Sequence, residues 1–113
     1  MRSAGRRPFV SFSVGVMFFL LTVTPSMAVT LEELSSRNIS GADVMNAPCS
    51  ELWFLRNSIY NKHGYCFRSR KARELFDNSD CTTRTAPVMT DIEQHNADLL
   101  GRLEELKNCK SPR

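Results

Sequence analysis

The sequence has no cysteine pair at CxxC spacing, no apolar stretch long enough to cross a bilayer, and only two histidines. The first absence removes the usual spacing of redox motifs, haem attachment sites and zinc ribbons. The second follows from Phe9–Thr24, an apolar, uncharged segment of 16 residues closed by Pro25. A membrane-spanning helix needs about 20. The third leaves His63 and His95 as the only imidazoles, so a zinc site would need further ligands. An excess of positive charge is lacking too, once the N-terminus is set aside. Arg2, Arg6 and Arg7 are three of the 15 basic residues, so the remainder carries 12 basic against 12 acidic residues. A neutral chain gives no support for nucleic-acid binding, which shows as a basic domain or stripe.

What is present begins with a signal peptide over residues 1–28. Arg2, Arg6 and Arg7 form a positive n-region, Val10 to Leu21 an apolar core, and Ser26-Met27-Ala28 a small-residue cleavage site. The expected cut follows Ala28, leaving no stable membrane span in the mature chain. All four cysteines, Cys49, Cys66, Cys81 and Cys109, lie beyond it. An even count in an exported chain reads as disulfides.

The helix signals divide the mature chain. Residues 29–48 read as a lead-in segment, with a Thr30/Glu33 capping box favouring a short turn around Leu31–Ser36. The first long helix starts after Pro48, with Ser50 as expected N-cap, and stops at Gly64. Leu52, Leu55, Ile59 and His63 recur on one face of it. Ser69 caps a short second helix in which Ala72, Leu75 and Phe76 share a face. Asp77–Met89 is a long loop pinned at Cys81. Thr90 and Glu93 open the third helix, expected to run to about Cys109 with Ile92, Leu99, Leu103 and Leu106 as its apolar stripe. Asp98 and Arg102 stand at i,i+4 on the opposite side. The fold class expected is all-α: two longer helices and one short helix, stapled by two disulfides, with the domain at 49–109 and a tail at 110–113.

Helix geometry bears on the pairing. Cys49–Cys66 would join opposite ends of one helix, about 20 Å apart, beyond the reach of a disulfide. Antiparallel packing of the two long helices favours Cys49–Cys109 with Cys66–Cys81. The crossed pairing, Cys49–Cys81 with Cys66–Cys109, is left open by this argument.

One segment carries a family resemblance. Tyr60-Asn61-Lys62-His63-Gly64, preceded by Leu55-Arg56-Asn57-Ser58-Ile59 and followed by Tyr65, Phe67 and Phe76, resembles the YARHG domain over roughly Glu51–Phe76. Asn61 and Lys62 stand where the family usually has Ala and Arg, and Asn78–Cys81 replaces an aromatic region. A role needing a guanidinium at position 62 therefore does not carry over. The resemblance implies export from a bacterial cell and a compact helical fold. It brings no activity or ligand.

Trp53, Arg56, Asn57, Tyr60, His63 and Gly64 form the candidate binding or structural cluster. Arg56 falls in the middle of the inward face, so it has to pair with a carboxylate or with helix-end carbonyls, or else clamp an anionic ligand at a cleft. His63 reads first as a helix-end residue bonding free carbonyls; a general base would need a defined nucleophile beside it. Trp53 and Tyr60 read as core, or as a stacking platform for a sugar or peptide. Phe54 lies on the polar side, either covered by the lead-in or exposed as a contact surface. Arg68, Arg70, Lys71 and Arg73 read as a solvated face, with contact to anionic envelope polymers or headgroups as the sharper alternative.

The expectation is an exported, non-catalytic binding or structural module of the bacterial cell envelope, periplasmic or secreted, without cofactor or metal. Its partner would be an envelope component or another exported protein. The rival readings are a small hydrolase using His63 with a carboxylate, and an inhibitor of an exported enzyme presenting the Asp77–Met89 loop.

Overall fold

A computed structural model describes residues 5, 11–21 and 27–112. The n-region arginines and the residues just ahead of the expected cut, up to Ser26, lie outside them. Residues 11–21 are exposed and carry no helix. The domain follows in the order α1 (Glu33–Ser36), a 3-10 turn (Gly41–Val44), α2 (Cys49–Lys62), α3 (Arg70–Leu75) and α4 (Asp91–Leu106). The fold is all-helical, with two long helices and no strand among the described residues; only an isolated bridge pairs Tyr65 with Thr83. No helix among the described residues is long and apolar enough to cross a membrane.

Local chemistry sets the boundaries. Thr30 and Glu33 exchange side chain and backbone hydrogen bonds ahead of α1, and Thr90 and Glu93 do the same at α4. Ser69 accepts from the Ala72 N–H at the start of α3. The expected cap at Ser50 is displaced. Pro48 occupies the cap position of α2 without a side-chain bond, and Cys49 is the first helical residue. Proline suits this end of a helix, where N–H groups have no intrahelical acceptor.

Both long helices end in the same device. The N–H of Tyr65 reaches the Tyr60 carbonyl and that of Gly64 reaches Asn61; Cys109 reaches Glu104 and Asn108 reaches Glu105. These are Schellman turns, with Gly64 and Asn108 at positive φ. Gly64 is required twice over, because a Cβ there would stand 2.5 Å from Thr82 Oγ1. The turn at Asn108 also ends α4 at Leu106, short of the expected Cys109. Each turn delivers a cysteine to a bond: Cys66 joins Cys81, and Cys109 joins Cys49.

α2 and α4 pack against each other around an aliphatic core of Leu52, Leu55, Ile59, Ala97 and Leu100. Half of that core comes from elsewhere. Val29, Leu34, Ile39, Val44 and Ala47 are all buried in the same cluster. The 29–48 segment is therefore part of the domain, and a boundary at 49 would cut through the core. Polar groups of α4 hold it in place. Asn96, fully buried, accepts from the Ile39 N–H and donates to the carbonyls of Leu34 and Arg37. One amide thus satisfies backbone groups that no regular element does. Ahead of this segment, the Ala28 N–H donates to Glu51 Oε1 (2.7 Å), and Val29 is 1% exposed.

A second, aromatic cluster joins Trp53 of α2 to Phe67, Ala72 and Phe76. Phe54 is half-buried, stacked on Phe76 at 5.4 Å. Leu75, expected on the buried face of α3, is instead 49% exposed. The helix is short: it buries Ala72, and Phe76, the extended residue that caps it, completes the contact.

Candidate functional site

The apolar stripe expected on α4 is also displaced. Its buried face is Glu93, Asn96, Ala97, Leu100 and Glu104, whereas Leu106 is 79% exposed. Leu99 and Leu103 flank that face. Polar residues occupy the inward positions because each has partners there. Asp98, on the outer side, accepts from Gln94 rather than pairing with Arg102.

Glu93 is the more enclosed of the two carboxylates. Its side chain lies where the start of α4 meets the end of α2, as antiparallel packing requires. It accepts from Ser35 Oγ (3.0 Å), Lys62 Nζ (3.0 Å) and His63 Nε2 (2.9 Å), and from the backbone N–H and hydroxyl of Thr90. Burial pushes its pKa up; the hydrogen bonds from His63, Lys62 and Thr90 outweigh this and hold the carboxyl well below the usual range. His63, expected to bond carbonyls, is bonded to this carboxylate instead.

Glu104 faces Arg56. The guanidinium Nε lies 2.6 Å from Oε1 and Nη2 lies 3.1 Å from Oε2, a two-pronged pair. Bonding to Glu104 raises the Arg56 pKa further above its ordinary value, against the opposing effect of burial. The pair borders an open polar cleft of about 510 Å³, whose walls include Tyr60, Asp98, Gly101 and Arg102.

The six candidate residues therefore do not converge. Arg56 and Tyr60 border the cleft. His63 sits apart, on Glu93, and Gly64 makes the turn behind it. Trp53 lies 6.1 Å from Phe76 in the aromatic cluster, and the buried Asn57 amide donates to the Trp53 carbonyl. His95 is exposed, its Nε2 at 3.3 Å from the Ile39 carbonyl. Among the described residues no group of three histidines, cysteines or carboxylates is placed to hold a metal. Sequence reasoning missed Glu93 as a hub, Glu104 and Asn96. The capping box did mark Glu93, but only for a local role.

The geometry at His63 matches only the carboxylate–imidazole half of a hydrolytic triad. There a hydroxyl bonds the imidazole and the carboxylate orients it from behind. Here the hydroxyls of Ser35 and Thr90 bond the carboxylate.

Comparison with known proteins adds one positive finding. No curated protein and no solved structure matches the chain. The YARHG domain profile matches residues 27–105, well beyond the Glu51–Phe76 stretch that carries the resemblance, and it takes in the buried 29–48 segment. The chain thus belongs to the YARHG domain family, a small extracytoplasmic domain.

Proposed function

We propose that this protein is exported by a signal peptide cut after Ala28 and acts as a non-catalytic binding or structural module of the bacterial cell envelope. One observation carries the reading. The groups best suited to chemistry are used up in holding the fold. His63 Nε2 is committed to Glu93, which also takes donors from Ser35, Lys62 and Thr90. Arg56 is committed to Glu104. A general base needs a nucleophile at its free nitrogen; with Nε2 on Glu93, no hydroxyl or thiol is bonded to the other ring nitrogen of His63 among the described residues. Two disulfides in a chain of this size suit an oxidising compartment. The test is a turnover screen of the mature protein on chromogenic esters, glycosides, peptides and phosphoesters, with His63→Gln alongside. No hydrolysis above buffer is expected. Hydrolysis that disappears in His63→Gln would establish an enzyme and end this reading.

A further inference from the structure

The Cys66–Cys81 disulfide draws together three segments: the connection after α2, helix α3 and the long loop. Each contributes an arginine to one pocket of about 350 Å³, namely Arg68, Arg73 and Arg84. The remaining wall is Phe67, Asn78 and the disulfide itself. No carboxylate lines it. All three arginines are exposed, and none makes an ion pair among the described residues. Of the nearby acids, Glu74 pairs with Arg70 at 2.9 Å, Asp77 accepts from the Ser79 N–H, and the exposed Asp80 is not among the lining residues and makes no ion pair among the described residues. Arg37 and Arg56, by contrast, each sit on a carboxylate.

Such an arrangement favours an anion. Three guanidinium groups line one pocket, and none is paired with a carboxylate among the described residues. The positions are also built. Asn78 accepts from the Phe67 N–H (2.8 Å) and donates to its carbonyl (3.4 Å), fixing the backbone next to Arg68. The Cys66 N–H donates to the Thr83 carbonyl (2.7 Å), fixing the backbone next to Arg84. Guanidinium forks match oxyanions that offer two or more oxygens, and the Phe67 side of the pocket gives an attached organic group an apolar wall.

We infer that Arg68, Arg73 and Arg84 form a binding site for a phosphate or diphosphate group, carried by a soluble phosphoester or by a membrane headgroup. The inference rests on the binding-module reading and supplies its ligand class. It is tested with the mature protein, using inorganic pyrophosphate as probe and backbone amide NMR shifts as readout. Saturable shifts are expected at Phe67, Arg68 and Arg84. Arg73→Gln with Arg84→Gln should weaken binding at least about tenfold, the loss of charge-assisted bonds. Lys71→Gln with Lys110→Gln removes the same charge elsewhere and should change affinity less than about twofold. A second arm uses phosphatidylglycerol–phosphatidylcholine vesicles against phosphatidylcholine alone. Vesicle binding with the same variant pattern assigns the phosphate to a headgroup; pyrophosphate binding without it assigns a soluble ligand. Equal weakening by both variant pairs, or no saturable binding in either arm, overturns the site and leaves the non-catalytic reading standing. Release of orthophosphate from bound pyrophosphate would instead break that reading and leave the site.

Discussion

The two ends of the contact between α2 and α4 are each fastened by a carboxylate of α4, and they are fastened differently. At one end Glu93, 0% exposed, gathers donors from α1, α2 and its own cap. At the other, Glu104 takes a single two-pronged arginine at the border of an open polar cleft, with Cys49–Cys109 bonded close by. The first is a junction of three segments. The second is a clasp between two, backed by a covalent bond. A junction concentrates dependence on one residue, whereas a clasp with a covalent neighbour spreads it.

The sharpest way to break the contrast is to remove both carboxyl partners in turn. Glu93→Ala deletes the acceptor for Ser35, Lys62, His63 and Thr90 together and opens a void. It should cost about 3–5 kcal/mol, the range for a broken buried pair, read by urea denaturation of the oxidised protein. A loss under about 1 kcal/mol would mean that the junction holds nothing. Arg56→Ala leaves Glu104, 10% exposed on its side chain, unpaired but lining the open cleft, to which solvent gains access once the arginine is gone. A smaller loss of about 2–3 kcal/mol is expected. If it equals or exceeds that of Glu93→Ala, the contrast between junction and clasp fails.

Acid sharpens the same comparison with a smaller effect. The folded-state pKa of Glu93 lies below the ordinary carboxylate value of 4.5. The unfolded chain therefore takes up that proton first as pH falls. The stabilisation is complete above the unfolded pKa and is lost on the way down toward the folded one. Glu93→Gln should accordingly flatten the decline in stability below about pH 4.3, measured as urea midpoints against pH. An unchanged acid slope would place the effect on other carboxylates.

Much of the architecture was legible because backbone-level signals mark it. Pro48 and Gly64 bracket α2, and the Thr90/Glu93 box opens α4. The all-helical class followed from these. The inward face of α4 was not legible, because Glu93, Asn96 and Glu104 read as polar and solvent-facing until their partners are seen. Apolar periodicity then points to Leu106, which is exposed. The 29–48 segment was misread for a related reason. Its buried residues, Val29, Leu34, Ile39, Val44 and Ala47, follow neither a helical nor a strand period, because short turns place them. For the site, the inward position of Arg56 was readable from α2 alone. Its partner Glu104, 48 positions away, was not.

On the proposed cut after Ala28, the burial of Val29 predicts an order of events in the life of the chain. Proteases act on chain that is exposed and extended, whereas in the folded domain Val29 is packed into the core and the Ala28 N–H is tethered to Glu51. Met27 and Ala28 stay exposed, so it is the Val29 side of the bond expected to be cut that the closed domain holds. On the proposed cut after Ala28, leader removal is expected to be faster before the core closes over Val29 than after it. Purified signal peptidase should cleave urea-unfolded precursor readily and leave oxidised, refolded precursor largely intact. Equal cleavage of both would show that the sequence of events is free.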